Sequence, residues 1–191
     1  MRKIILASAS PRRRELLEKL GLQFEVIPGN EEENIDVTIA PHKLAQELSY
    51  KKSRAVADKN KNALVIAADT FIVFQGKVMG KPLTDSEAYA MLKTLNGKSH
   101  KVITGFTIID TENGKTLSHS VETKIYMKSL SPAEIDNYVK SREPLDKAGA
   151  YAIQGLGAVI IEKIAGDYSN VVGLPLNALS ESLREFGIHI L

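Results

Sequence analysis

A short apolar run, Ile4-Ile5-Leu6-Ala7, gives way within one loop to leucines at helical spacing, Leu16, Leu17 and Leu20. That change of period commits the start of the chain to a buried strand followed by a helix packed on it. The loop between them reads Ser8-Ala9-Ser10-Pro11-Arg12-Arg13-Arg14. Pro11 suits the first helical position, where its missing N–H costs nothing, and Ser10 suits the cap, while Gly21 stops the helix. Exposed N–H groups at such a helix start and the positive end of its dipole attract an anion, and the arginines add paired donors. The segment therefore reads as a place to hold phosphate. The same residues also describe a capped surface helix whose arginines face water. Neither a Walker pattern nor a dinucleotide Gly-x-Gly-x-x-Gly follows a strand, so those phosphate motifs are excluded.

Further along, Phe24 to Ile27 reads as a second strand, ending at Pro28-Gly29 in an acidic loop, Glu31-Glu32-Glu33. A helix is expected from about His42 to Asp58, with Leu44, Ala45, Leu48, Ala55 and Val56 on one side. Ala63 to Ala68 is an apolar strand running into Asp69-Thr70, and Phe71 to Phe74 a further strand before the turn at Gln75-Gly76-Lys77. Gly80-Lys81-Pro82 ends that hairpin, and a helix follows from about Asp85 to Leu95. Alternating residues over 101–110 and 115–127 predict an antiparallel ribbon around Glu112-Asn113-Gly114. Ser131-Pro132-Ala133-Glu134 opens a helix with a capping-box pattern, running to about Arg142. Regularity fails over 146–155, where small residues suit a close backbone approach. Ala158 to Ile164 reads as a strand, and Leu176 to about Phe186 as a last helix. Strands and helices that alternate around an antiparallel ribbon predict a mixed α/β sheet.

With 191 residues and 43% hydrophobic composition the chain can bury a core of its own. A net charge of +2 is too balanced for a general nucleic-acid or membrane binder. Aromatic residues make up 6% and tryptophan is absent, so no basic stripe interleaved with stacking residues exists. There is no cysteine, which rules out disulfides and thiolate chemistry and fits a reducing compartment. The first apolar run is too brief for a signal peptide or a spanning helix, so a cytoplasmic protein is expected.

Asp69 follows an apolar run at what reads as the carboxyl end of a central strand, where open α/β folds gather ligands; an Asx turn or a helix cap is the other reading. If Glu32 and Glu33 face it, the cluster offers the oxygen ligands that Mg²⁺ or Mn²⁺ prefers. His42, His100, His119 and His189 lack ligand-like spacing and are assigned to no metal. Lys52 and Lys81 stand out among the lysines, the second because Gly80 and Pro82 hold it on an inflexible turn.

The motifs Ser8-x-Ser10-Pro11-Arg12-Arg13, Ala68-Asp69-Thr70, Gly80-Lys81-Pro82, Asp146-Lys147-Ala148-Gly149-Ala150-Tyr151 with Ile153-Gln154-Gly155, and Ser169-Asn170-Val171-Val172-Gly173-Leu174-Pro175 occur in one order from the first strand to the last helix. Jointly they make the chain resemble the Maf family. The resemblance implies a single domain over 1–191 with the Maf and inosine-triphosphatase-like fold: a mixed, curved sheet with flanking helices, two lobes around a cleft, and a homodimer. It implies hydrolysis of a nucleoside triphosphate between the α and β phosphates, with a divalent metal. On that basis the Ser8 to Arg13 loop, including Ser10, holds the leaving pyrophosphate, and Lys52 and Lys81 offset phosphate charge. Asp69 matches the family's proton acceptor, acting as base, as a metal ligand with Glu32 or Glu33, or as both. Arg12, Thr70 and Gln154 match the branch acting on dTTP and UTP, whereas the 7-methyl-GTP branch departs at the last two. A Gln amide offers both an acceptor and a donor to the N–H and carbonyl edge of thymine or uracil. Glu31-Glu32-Glu33 is a triple where the family shows a shorter acidic pair, which leaves the choice of glutamate ligand open. The competing reading is a regulatory nucleotide-binding protein in septum formation and cell-division arrest.

Overall fold

The structure is a computed structural model that describes residues 2–29 and 39–191. The order of elements is β1 (Lys3–Leu6), α1 (Pro11–Glu18), β2 (Glu25–Val26), α2 (Pro41–Ala57), β3 (Ala63–Phe74), β4 (Lys77–Met79), α3 (Asp85–Leu95), β5 (Ser99–Asp110), β6 (Thr116–Met127), α4 (Pro132–Lys140), β7 (Ile161–Ala165), α5 (Tyr168–Val172) and α6 (Leu176–Arg184). Three short 3₁₀ turns, Glu143–Asp146, Ala148–Ala150 and Gly155–Ile160, lie between α4 and β7. The sheet order is β2-β1-β3-β5-β6-β7, with β4 paired to β3. β1 is parallel to both β2 and β3, whereas β4 on β3 and β7 on β6 are antiparallel, so the sheet is mixed as the alternation of elements predicts. No helix among the described residues is long and apolar enough to cross a membrane.

The chain divides into two compact units, matching the two lobes expected. One comprises Met1–Asp69, Thr104–Val121 and Gly173–Leu191, and the other Thr70–Ile103 and Glu122–Val172. In the first, Ile5, Ala7, Val65, Ala67 and Ile109 pack with Val56 and Ala57 of α2. α2 lies so close to β5 that a Cβ on Gly105 would stand 2.1 Å from the Ala45 carbonyl oxygen. A hydroxyl ladder that starts from the buried Ser49 and Thr107 and ends at the exposed Ser118, each step 2.8 Å, joins α2 to β5 and β6. Arg2 pairs with the buried Asp110 and donates to the Phe186 carbonyl at 2.7 Å, which ties β1 to β5 and to the end of α6.

In the second unit Leu92 and Leu95 of α3, Ile135 and Tyr138 of α4, and Ile125 and Met127 of β6 share a core with Tyr151 and Ile160. Its helices start as their sequences dictate. Thr84 caps α3 by accepting from the Glu87 N–H at 3.2 Å. Ser131 and Glu134 close a reciprocal capping box on α4.

Three local expectations differ from the structure. β3 runs unbroken from 63 to 74, so Asp69 sits inside a strand rather than at its end. Residues 158–160 belong to a 3₁₀ turn, and the strand begins at Ile161, because the turn folds back on a carboxylate described below. α5, a five-residue helix to which the sequence reading assigns no element, is started by Asp167, whose Oδ1 accepts from the Ser169 N–H at 2.7 Å. Ser10 occupies the cap position of α1 and Pro11 the first turn, yet the Ser10 side chain makes no capping bond.

Candidate active site

In the first unit the parallel pairing of β1 with β3 ends at Leu6 and Ile66, and the Ala7 N–H donates to the Ile66 carbonyl at 2.7 Å. Ser8 thus leaves the sheet two residues past Leu6, and Asp69 lies three residues past Ile66. Asp69 is not at the carboxyl end of β3, but it is just beyond the carboxyl end of the parallel pairing, where α/β sheets collect ligands. Strand alternation puts Asp69 on the face of Val65 and Ala67, which α2 covers through Val56. Lys52 precedes Val56 by one helical turn, and its ammonium pairs with Asp69 Oδ1. Both groups are largely withdrawn from water, with side-chain exposures of 17% for Lys52 and 9% for Asp69. The ion pair explains why β3 tolerates a carboxylate in its interior: the ammonium meets the charge without a break in the strand.

The Ser8 to Arg14 loop is held by its own polar groups. Ser8, which is buried, accepts at Oγ from the Ser10 N–H and from Arg13 Nη1, each at 3.3 Å. Arg13 Nε also donates to the Gly173 carbonyl at 2.8 Å. The 169–175 segment carries no role on sequence grounds beyond membership of the motif set; here its glycine carbonyl orients the Arg13 guanidinium. No local pattern announces that contact, because the two residues are 160 positions apart. Arg12 is half-buried, whereas Arg14 is exposed and pairs with Glu18 at 2.9 Å. The three arginines therefore divide, with Arg14 behaving as the solvated helix residue that a bland reading gives to all of them.

Glu32 and Glu33 lie outside the described residues. The chain enters that segment at Gly29, where an added Cβ would stand 3.0 Å from the Lys52 carbonyl oxygen, so the backbone reaches it in contact with α2. Among the described residues no group of three or more His, Asp or Glu gathers as a metal site.

The second unit carries Thr70, Lys81 and Gln154. Thr70 is half-buried on β3, and Lys81 is exposed between Gly80 and the buried Pro82. The Gly80 carbonyl accepts from the Gly149 N–H at 2.9 Å, so the Gly80-Lys81-Pro82 and Asp146–Tyr151 motifs are joined by a backbone hydrogen bond beside the lysine. Gln154 is exposed and extended, at φ −106° and ψ 160°, where the third 3₁₀ turn begins. Tyr151 is buried and lies 2.6 Å from His100 Nε2, edge to ring. Burial pushes the His100 ring down to about 4, so this histidine is a neutral core residue. His42, 3.0 Å from Ser120, and His119, beside Phe106, also gather no metal-binding partners among the described residues.

A guanidinium clamped by Ser8 and the Gly173 carbonyl and a lysine-bound carboxylate thus stand at the same end of the β1–β3 pairing of an α/β protein. The chain belongs to the Maf family: the sequence model described as Maf-like protein matches residues 3–186. It is 52% identical to the dTTP/UTP pyrophosphatase of Thermoanaerobacter sp. over 191 residues, covering 99% of this chain and 100% of the relative. Identity to the dTTP/UTP pyrophosphatase of Desulforamulus reducens is 47%, with full coverage of both chains. To that of Bacillus cereus it is 45%, covering 100% of this chain and 98% of the relative. A solved structure, the Ham1 protein of Staphylococcus aureus, aligns over 65% of this chain and 71% of its own at 15% identity and a TM-score of 0.45.

Proposed function

We propose that this chain is a nucleoside triphosphate pyrophosphatase that hydrolyses dTTP and UTP to the monophosphate and pyrophosphate. The single observation that carries the chemistry is the Lys52–Asp69 ion pair, inside β3 just past the end of its parallel pairing with β1, from which the Ser8 to Arg13 loop leaves. Full-length identity of 45–52% to relatives named dTTP/UTP pyrophosphatase supports the choice of substrate.

Asp69 accepts a proton from the water that attacks the α phosphorus; the new P–O bond forms as the bond to the bridging α–β oxygen breaks, and that oxygen departs with pyrophosphate. Lys52 fixes the orientation of the carboxylate. Ser8, Ser10, Arg12 and Arg13, with the uncapped N–H groups that open α1, take the charge that develops on the leaving pyrophosphate. Lys81 adds a cation to the phosphates, and Thr70 and Gln154 contact the nucleoside. The hard oxygen of Asp69 suits Mg²⁺ or Mn²⁺, with Glu32 or Glu33 as further ligands. A divalent cation there would neutralise phosphate charge. The protein acts in the cytoplasm as a homodimer, a state that sedimentation of the purified chain checks.

The decisive experiment incubates wild type and Asp69→Asn with a panel of nucleoside triphosphates and Mg²⁺ or Mn²⁺, and separates the products by chromatography. TMP, UMP and pyrophosphate are expected from the wild type, with turnover lower in the variant by roughly 10² or more, the scale of a lost general base. Release of orthophosphate, or no cleavage with either metal, would overturn this reading and favour a regulatory nucleotide-binding protein.

A further inference from the structure

The loop that bears Gln154 is built around one carboxylate. Glu143 Oε1 accepts from the Tyr138 hydroxyl and from the Gly157 N–H, both at 2.8 Å, and Oε2 accepts from the Leu156 N–H at 3.0 Å. The Tyr138 hydroxyl in turn accepts from the Ala152 N–H at 3.1 Å. The backbone is therefore held two residues before Gln154 and two and three residues after it. The turn wraps the carboxylate so closely that a Cβ on Gly155, at φ +73°, would stand 2.4 Å from Glu143 Oε2. One on Gly157 would stand 2.0 Å from the Ala152 carbonyl oxygen. Only glycine fits at either position.

The support behind the carboxylate is rigid. Tyr138 is 6% exposed, on the capped helix α4, with its ring in the core of the second unit. Burial raises the phenol well above its ordinary range, so it stays a donor at any pH at which the protein works. Ser141 Oγ donates to the Tyr138 carbonyl at 2.6 Å and accepts from the Glu143 N–H at 3.3 Å, which fixes the step from α4 to Glu143. All these groups hold a loop whose central side chain, Gln154, is exposed. An exposed glutamine on a free loop must be ordered when it meets a ligand, at an entropic cost that a restrained backbone has largely met beforehand.

We propose that Glu143, relayed through Tyr138, is a positioning residue for base selection, holding the 152–157 loop so that the Gln154 amide meets the pyrimidine edge in one orientation. This rests on the reading of Gln154 as the group that contacts the base. Uracil offers an N–H donor between two carbonyls, whereas cytosine of equal size offers an acceptor beside an amine; an amide held in one orientation separates them.

The test compares kcat and KM for UTP and CTP in wild type, Gln154→Ala, Glu143→Gln, Tyr138→Phe and the Glu143→Gln/Gln154→Ala double variant. The folded fraction of each is measured by circular dichroism. Gln154→Ala is expected to lower the UTP over CTP preference in kcat/KM by roughly 10-fold. Glu143→Gln and Tyr138→Phe should each lower it by roughly 3- to 10-fold, the size of one lost hydrogen bond, through a higher KM for UTP with kcat retained. The double variant should match Gln154→Ala alone. Tyr138→Phe keeps the buried ring, so it carries the test if Glu143→Gln does not fold. An unchanged preference in Gln154→Ala would overturn the assignment of Gln154 and the proposal with it. A lowered preference in Gln154→Ala with no change in the folded positioning variants would overturn the proposal and leave Gln154 as the base contact.

Discussion

Asp69 and Lys52 are 17 residues apart, and each gains its meaning from the other. Removing the ammonium leaves a carboxylate inside a strand without its charge partner. Lys52→Met is expected to destabilise the protein by about 3 kcal/mol, and Lys52→Met with Asp69→Asn to recover most of that, because a buried pair costs most when only one member is lost. Urea unfolding of the two single variants and the double variant checks this. Arg13 is a second case. Its guanidinium is aimed by Ser8 and by the Gly173 carbonyl, so Arg13→Ala should lower kcat for dTTP by roughly 10², whereas Arg14→Ala should change it less than 2-fold, as expected for an exposed ion pair. The sequence predicts an anion site for the whole arginine run, but which arginine is aimed and which is solvated was not legible there, since that depends on a carbonyl distant in sequence.

At the scale of elements, local chemistry accounts for helix starts and tertiary contact for the rest. The capping box of α4 follows from Ser131 and Glu134 alone, and Ser131→Ala should cost about 1 kcal/mol in thermal or urea unfolding. The contact between α2 and β5 has no such local signature. It depends on Gly105 lacking a Cβ against the Ala45 backbone, and since backbone yields little, Gly105→Ala is expected to cost roughly 2–3 kcal/mol. β3 shows where element reading stops. Asp69-Thr70 looks like a break because a charged residue interrupts an apolar run, yet the strand continues, its carboxylate paired from α2. Residues 158–160 likewise read as the start of a strand, yet they complete a 3₁₀ turn whose Leu156 and Gly157 N–H groups donate to Glu143.

For the whole molecule, one contribution to the dependence of stability on pH comes from His100, which is 3% exposed and lowered by burial from 6.5 to about 4. The folded protein keeps the neutral ring, so this contribution is fully present above pH 6.5. As the pH falls from 6.5 towards 4 the unfolded chain takes the proton first, and stability is lost at up to about 1.4 kcal/mol per pH unit. The urea midpoint is expected to drop more between pH 7 and pH 5 in the wild type than in His100→Gln. The motif order from Ser8 to Pro175 and the change of period at Ser8 were enough by themselves to identify the family and the mixed α/β class, because both are carried by residue types at short spacing. Only the tertiary structure decided which groups meet: Lys52 with Asp69, Arg13 with Gly173, and Glu143 with the turn after Gln154. Those pairings join residues from separate elements, and the register and packing that bring them within hydrogen-bond distance are properties of the folded chain, with no local pattern to announce them.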